Sequence, residues 1–186
     1  MRALKVGFIG VGGMGKVHLA RLDKIPEINV TALCDINLAR AVELAKKYKA
    51  NTYTDYHDML KREDLDAVWI CIPPYAHKDE VILAAEQGIH VFVEKPIALN
   101  LKLAKEMERT INKAGVKSWV GYHFRQYSSI RRVADMLANE GGPIGLLTGY
   151  WWGSIPRAPW WIKKELSGGQ VVEQTTHIFD LSLIHI

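Results

Sequence analysis

The feature that most constrains the fold is a glycine-rich stretch that directly follows an apolar run near the N-terminus. Residues 4–9 form a short β-rich run, and the segment GFIGVGGMGKVH then carries Gly10, Gly12 and Gly15 in G-x-G-x-x-G spacing. Residues 14–22 follow with helical periodicity. A sharp turn between a strand and a helix uses glycine where backbone segments approach closely. The sequence therefore predicts a strand, a tight turn and a helix in immediate succession.

Strand and helix patterns go on alternating to about residue 121. The further predicted strands are residues 29–34, 51–54, 67–72, 89–93 and 116–122, and the further helices are residues 38–48, a segment starting near Asp55, 77–87 and 100–113. The run AVWICI at residues 67–72 is apolar throughout, which is typical of a strand covered on both faces. This order predicts the α/β class, with a doubly wound parallel Rossmann sheet connected by right-handed crossovers.

In such a fold the glycine turn binds the pyrophosphate of a dinucleotide at the helix N-terminus. Asp35 follows the second predicted strand, 20 positions after Gly15, where an acid can bind a ribose diol. The alternative is that Asp35 only caps the next helix. Its carboxylate repels a 2′-phosphate, so NAD is predicted, with NADP as an alternative because Arg40 lies five residues on. The predicted cofactor contacts are Gly10, Gly12, Gly13, Met14, Gly15, Asp35, Ile72, Pro73, His77, Glu94 and Lys95.

The segment VFVEKPIALN places Glu94, Lys95 and Pro96 where a buried strand ends. Ligands of open α/β sheets bind outside the carboxyl ends of the strands. A lysine there can donate to a substrate oxygen, and Pro96 would stiffen the chain that carries it. The alternative is that Lys95 pairs with Glu94 on a loop.

A second candidate group lies in the last predicted helix, GGQVVEQTTHIFDL. Glu173, His177 and Asp180 fall at i, i+4 and i+7, on one helix face. An imidazole that titrates near neutrality suits removal of a hydroxyl proton. The alternatives are a solvated helix face, a core histidine or a metal site; no metal is predicted, since a nearby Lys95 ammonium would oppose one.

The pattern changes at the predicted boundary between residues 1–121 and 122–186. A helix is predicted from about Ser129 to Asn139, followed by a strand in IGLLTGYWWG at residues 144–153 and a loop dense in Trp and Pro. The segment beyond the boundary is short for an independent core. It is predicted to be the start of an α+β substrate domain with an incomplete open sheet.

Composition excludes several classes of protein. Among the 186 residues the net charge is +4, with Lys and Arg spread over predicted helix faces, so no nucleic-acid partner is predicted. No apolar run approaches the roughly 18–20 residues that a membrane span needs. The two cysteines, Cys34 and Cys71, would lie two strands apart, too far for a disulfide. Free thiols favour a reducing compartment, and the predicted location is the cytoplasm.

Together, the segments GFIGVGGMGKVH, LCDINLARA, AVWICIPPYAH, VFVEKPIALN and SGGQVVEQTTHIFDL resemble the Gfo/Idh/MocA oxidoreductase family. The resemblance implies oxidation of a secondary hydroxyl of a sugar or cyclic polyol with NAD(H) or NADP(H). It also implies a homo-oligomer formed through a second-domain sheet. Two other functions remain open: a non-catalytic NAD-binding regulator, and a glycosidase-type relative that oxidises its substrate only transiently.

The resemblance also implies roles for individual residues. Lys95 matches the lysine that contacts substrate and nicotinamide, and His177 matches the catalytic histidine; Glu173, the third predicted catalytic residue, stands where the family usually has Asp. The candidate substrate contacts are His123, Arg125, Trp152, Lys163, Glu173 and His177. The C-terminal SLIHI departs from the family pattern, so we expect a chain cut within its second domain, with an unpaired strand edge in LLTGYWW.

Overall fold

The protein is represented by a computed structural model that describes residues 2–142, 144–156 and 158–185. The chain divides into two compact units, Met1–Val120 and Gly121–Ile186.

The first unit is built around a six-stranded sheet. Its strands are β1 (Leu4–Ile9), β2 (Ile28–Cys34), β3 (Asn51–Tyr53), β4 (Ala67–Ile70), β5 (His90–Val93) and β6 (Ser118–Val120). The helices between them are α1 (Gly13–Leu22), α2 (Leu38–Tyr48), α3 (Tyr56–Arg62), α4 (Glu80–Glu86) and α5 (Leu101–Ala114), with a 3₁₀ turn at Pro74–Ala76. The predicted helix over residues 77–87 begins later, at Glu80, because the backbone at His77, directly after this 3₁₀ turn, is extended.

The strand order is β3-β2-β1-β4-β5-β6, and every neighbouring pair is parallel. The predicted α/β class with a doubly wound Rossmann sheet is confirmed. Because the strands are parallel, the turns after β1, β4 and β5 lie at one edge of the sheet. The strand order reverses between β1 and β4, which is where folds of this kind bind their ligands.

Two apolar clusters cover the two faces of this sheet. One gathers Val6, Phe8 and Leu33 with Leu19 and Leu22 of α1. The other gathers residues such as Ile70, Val91 and Met107 from β4, β5 and α5. The apolar stripes of the helices are buried on these faces. Some of the helices begin with a side-chain cap: Asn37 accepts a backbone N–H at the start of α2, and Asn100 does so for α5.

The second unit is helical where it is regular. It contains a 3₁₀ turn at His123–Gln126, α6 (Ser128–Asn139), α7 (Lys164–Ser167), a π-helical turn at Val171–Thr175 and α8 (Thr176–His185). The last predicted helix is thus two pieces, because the backbone widens into the π turn before α8 begins.

The predicted strand over residues 144–153 is wrong. Its described residues form neither strand nor helix, and no strand occurs among the described residues of 121–185. An isolated strand leaves its backbone N–H and C=O groups without ladder partners and is not stable alone. The predicted incomplete open sheet, with its unpaired edge, is therefore not seen in the part of this unit that the structure describes.

Across the described residues, none of the helices has both the length and the continuous apolar character needed to traverse a lipid bilayer.

Candidate functional site

The glycine turn after β1 cannot tolerate side chains at two positions. Gly10 has φ +86°, and a Cβ there would lie 2.5 Å from the carbonyl oxygen of Cys71. A Cβ at Gly15 would overlap the carbonyl oxygen of Gly10. The N-cap of α1 is Gly12, and Gly13 and Met14 are exposed at the start of the helix. The turn therefore presents bare backbone at a helix N-terminus, which fits a pyrophosphate.

The carboxylate of Asp35 is fixed beside this turn. Asp35 is 6% exposed; one oxygen accepts the Val11 N–H at 3.0 Å and the other accepts the Asn37 N–H at 2.9 Å. Arg40 donates through Nη1 to both oxygens, at 3.1 and 3.2 Å. The side-chain cap of α2 is Asn37, so capping does not account for Asp35. An oriented acid at the end of β2, next to the glycine turn, is the arrangement that a ribose diol needs.

The segment after β4 brings further predicted contacts to the same edge of the sheet. Ile72 and Pro73 are half-buried. His77 is buried, with its Nδ1 2.5 Å from Oε1 of Glu80, and the other oxygen of Glu80 accepts the Lys78 N–H at 2.8 Å. Among the described residues, Nε2 of His77 has no hydrogen-bond partner. The carboxylate of Glu80 thus joins the His77 imidazole to the backbone of this loop.

The turn after β5 contains Glu94, whose side chain connects two elements of the sheet edge. Its carboxylate is nearly buried and lies 2.6 Å from Nε2 of His18 on α1, and its second oxygen accepts the Lys95 N–H at 3.1 Å. Lys95 is half-buried, and the Lys95–Pro96 peptide bond is cis.

His18 was not among the residues predicted to form the site. A signal was present: His18 falls at i+3 from Gly15, on the stripe of α1 that also buries Leu19 and Leu22. A polar side chain on a buried helix stripe needs a partner. Here that partner is Glu94.

In the second unit, His177 is enclosed by rings. It is 4% exposed and stacks on Phe124 and Trp151, with ring centroids 4.7 and 5.5 Å away. Tyr122 and His123 meet it edge-on, at 5.9 and 5.1 Å. His123 was among the predicted site residues, but the packing of Phe124 and Trp151 on His177 was not predicted. Aromatic walls fix the plane of the imidazole and lower the local polarity around it, which suits a proton-transfer group.

Two buried acidic side chains flank His177 in the sequence. Glu173, in the π turn, is 8% exposed, and Asp180 is 7% exposed. Arg125 holds Asp180 with a bidentate pair, through Nε at 2.7 Å and Nη2 at 2.6 Å. This hydrogen bonding raises the pKa of Arg125. Arg125 was predicted to contact substrate, and its guanidinium is engaged by Asp180, which fixes the start of this unit to α8.

The other predicted substrate contacts are more open to solvent. Trp152 is 86% exposed, whereas its neighbour Trp151 is the tryptophan that packs on His177. Lys163 is exposed and precedes α7, where its carbonyl accepts the Ser167 hydroxyl. The second unit therefore places the exposed ring of His123 against the buried His177, within a half-buried group of aromatic rings. Glu173 is buried four residues before His177, whereas Trp152 and Lys163 are surface side chains.

Comparison with known proteins identifies the lineage of these features. The model of the family described as "Oxidoreductase family, NAD-binding Rossmann fold" (GFO_IDH_MocA) matches residues 4–122. The chain is 30% identical to the myo-inositol 2-dehydrogenase of Thermotoga maritima, over 96% of this chain and 54% of that protein. It is 31% identical to the 2,7-anhydro-N-acetylneuraminate hydratase of Mediterraneibacter gnavus, over 99% of this chain and 49% of that protein. The chain thus spans about half the length of these relatives.

Solved structures agree with the sequence relatives. The WlbA dehydrogenase of Bordetella pertussis, crystallised with NADH and UDP-GlcNAcA, matches with a TM-score of 0.86 and 25% identity, covering 100% of this chain and 59% of that one. The matched family model covers the glycine turn, Asp35, and the segments after β4 and β5 described above. The resemblance seen in the sequence is confirmed, and the chain belongs to the Gfo/Idh/MocA family of oxidoreductases with an NAD-binding Rossmann fold.

Proposed function

We propose that this protein is an NAD-dependent oxidoreductase that transfers hydride between a secondary hydroxyl of a sugar or cyclic polyol and the nicotinamide of its cofactor. The observation that carries the proposal is the first unit's carboxyl edge. The bare glycine turn, the oriented carboxylate of Asp35 and the segment bearing Lys95 follow β1, β2 and β5 of one parallel sheet. The polyol class is supported by the inositol dehydrogenase among the relatives.

The cofactor contacts follow from the same edge. In this proposal Gly10, Gly12 and Gly15 leave room for the pyrophosphate, and Gly13 and Met14 open the helix that faces it. Asp35 accepts from the adenosine ribose. Ile72, Pro73 and His77 line the β4 side, and Glu94 orients the backbone at Lys95.

The chemistry requires a donor to the substrate oxygen and an acceptor for its proton. Bound NAD supplies the hydride acceptor. Lys95 is proposed to hydrogen-bond the reacting hydroxyl and lower its pKa, and His177 to take its proton. Glu173, with a side chain one methylene longer than Asp, is proposed to orient the imidazole or a substrate hydroxyl. His123 is proposed as a further substrate contact.

The test is NADH release measured at 340 nm with the chain and NAD⁺, across inositols, aldoses and amino sugars. We expect at least one substrate to be oxidised, and Lys95→Ala and His177→Ala each to lower kcat/KM by about 100-fold or more. Lys102→Ala, an exposed lysine on α5, is the matched control and should leave turnover unchanged. Lys95→Ala with near wild-type turnover would contradict the assignment, and NAD binding without turnover on the whole panel would favour a non-catalytic, NAD-binding regulator.

A second candidate function is favoured by one relative. The Mediterraneibacter gnavus protein is named as a hydratase, and its match covers nearly the whole of this chain. A reaction in which the substrate is oxidised only transiently would convert substrate without net NADH. Chromatography of the same panel for products, alongside the absorbance at 340 nm, separates the two: product without NADH supports this candidate.

Location and assembly are also proposals. We propose a cytoplasmic location, supported by two cysteines that are free, Cys34 and Cys71. Burial raises the pKa of both thiols, to about 12 for Cys34, so they are poor nucleophiles. A homo-oligomer is proposed from the family resemblance, and light scattering of the protein in solution tests it.

A further inference from the structure

The pair formed by His18 and Glu94 joins two elements of the candidate cofactor site. His18 lies in the second turn of α1, the helix that the glycine turn opens, and Glu94 is the residue directly after β5. Nε2 of His18 is 2.6 Å from Oε1 of Glu94, with the two side chains 12% and 9% exposed. A short contact between such groups in a poorly solvated place is strong and directional.

Both partners are held in place by further contacts. The ring of Phe92 on β5 packs against the imidazole, with centroids 4.8 Å apart at 60°. The backbone N–H of Glu94 donates to the Ile70 carbonyl of β4 at 2.8 Å, which fixes where the side chain starts. The imidazole of His18 is therefore held against β5 and the backbone of Glu94 against β4, and together they set where the carboxylate lies.

The second carboxylate oxygen connects this anchor to Lys95. Oε2 of Glu94 accepts the Lys95 N–H at 3.1 Å. The side chain of Lys95 projects from this same peptide, and Pro96, which is buried, holds the chain on the other side. Two hydrogen bonds, both made by the Glu94 carboxylate, thus connect His18 on α1 to the backbone of Lys95.

We propose that His18 is a positioning residue for Lys95, acting through Glu94 to couple the helix of the glycine turn to the direction of the lysine side chain. This inference rests on the proposed function, because only there does Lys95 have a reaction to serve. The simpler alternative is that the pair only holds α1 against the sheet. A buried polar pair of this kind is weak evidence for stability, since the desolvation of its groups offsets much of their attraction.

The test observes Lys95 directly. Reductive methylation with ¹³C-formaldehyde labels every lysine, and Lys95→Arg assigns the Lys95 signal in a ¹H–¹³C spectrum. His18→Leu keeps an apolar body against Phe92 and removes the donor, while His18→Gln restores a donor. His57→Leu, an exposed histidine on α3, is the matched control.

We expect His18→Leu to move the Lys95 signal in the NAD-free protein and to abolish the change that NAD⁺ induces in it. We expect His18→Gln to return both toward wild type and His57→Leu to change neither. Where turnover is measurable, His18→Leu should lower kcat by about 10- to 100-fold, because a small misplacement of a reacting group costs that much, with the KM for NAD changed less than threefold.

A Lys95 signal that is the same in His18→Leu and wild type, with and without NAD⁺, overturns the inference. If His18→Leu does not fold by circular dichroism, Glu94→Gln carries the test, and an unmoved Lys95 signal overturns the inference in the same way. If NAD⁺ leaves the wild-type Lys95 signal unchanged, that result counts against the proposed function. The NAD-free spectra of wild type and His18→Leu still test whether His18 is coupled to Lys95.

Discussion

At the scale of single residues, the cofactor side of the molecule depends on one carboxylate with several partners. Asp35 serves the glycine turn through the Val11 N–H and holds the guanidinium of Arg40. A charged acid at this place disfavours the 2′-phosphate of NADP, whereas a free arginine would favour it. Because Asp35 and Arg40 are hydrogen-bonded to each other, the preference between NAD and NADP depends on both side chains and not on Asp35 alone.

Replacing Asp35 with serine should therefore weaken the binding of NAD⁺ and strengthen that of NADP⁺. We expect Asp35→Ser to weaken NAD⁺ binding by roughly 10- to 100-fold, because hydrogen bonds to a charged acceptor are lost. NADP⁺ binding should become stronger, since repulsion is removed and Arg40 is released to pair with the 2′-phosphate. Isothermal titration with both cofactors measures this.

The control and the second variant make the test specific. Asp58→Ser changes an exposed acid on α3 and should alter neither affinity. In Asp35→Ser/Arg40→Ala the gain for NADP⁺ should disappear. An equal loss for both cofactors in Asp35→Ser would contradict the argument and point to a collapsed glycine turn.

At the scale of elements, the second unit is organised by a contact between a 3₁₀ turn and a helix. Arg125 of the turn at His123–Gln126 holds Asp180 of α8 with two side-chain hydrogen bonds and a third, at 3.3 Å, to its carbonyl. Tyr122 adds a hydroxyl contact to Thr176 at 2.9 Å. Because His177 is also on α8, these contacts set where its imidazole lies.

Breaking the Arg125–Asp180 pair should loosen α8. Arg125→Ala leaves the 7%-exposed Asp180 without its guanidinium, and we expect a loss of about 1–3 kcal/mol in the local opening free energy, the cost of an unsatisfied buried acceptor. The value is at the lower end for buried pairs because the Arg125 side chain is 38% exposed. Hydrogen–deuterium exchange should show faster exchange of the α8 amides.

Two variants bound this result. Arg132→Ala removes an exposed arginine of α6 and should leave α8 protection unchanged. Arg125→Lys keeps the charge but not the planar fork, so it should lie between wild type and Arg125→Ala. Unchanged α8 exchange in Arg125→Ala would show that the pair is a surface contact of little energetic weight.

Elements differed in how far the sequence could predict them. The strands and helices of the first unit followed from hydrophobic periodicity, because each is covered by neighbours of matching pattern. The segment at residues 144–153 has strand-forming side chains but forms no strand, since strand formation depends on a partner that local sequence does not supply. The partnership of His18 with Glu94 joins positions 76 residues apart, and only its helix register hinted at it.

At the scale of the whole molecule, the apolar core is unevenly shared. Every buried apolar side chain among the described residues lies between Val6 and Met107, in the first unit. In the described part of 121–185 the buried residues are Gly121, Ser167, Glu173, His177 and Asp180. A unit whose burial is mostly polar gains little from the hydrophobic effect, whereas about 120 residues around a six-stranded sheet can bury enough apolar surface to fold.

This distribution predicts that residues 1–120 fold and bind cofactor alone. All residues proposed to contact the cofactor lie within that range, as do both apolar clusters of the sheet. We expect the fragment to unfold in one cooperative thermal transition and to bind NAD⁺ with a Kd within about threefold of the full chain. The same fragment with Gly15→Ala is the control: its added Cβ meets the Gly10 carbonyl oxygen and should abolish binding. A fragment that fails to fold, or binds more than about tenfold more weakly, would show that residues beyond 120 contribute to the stability or the cofactor affinity of the Rossmann unit, despite their lack of buried apolar side chains in the described part.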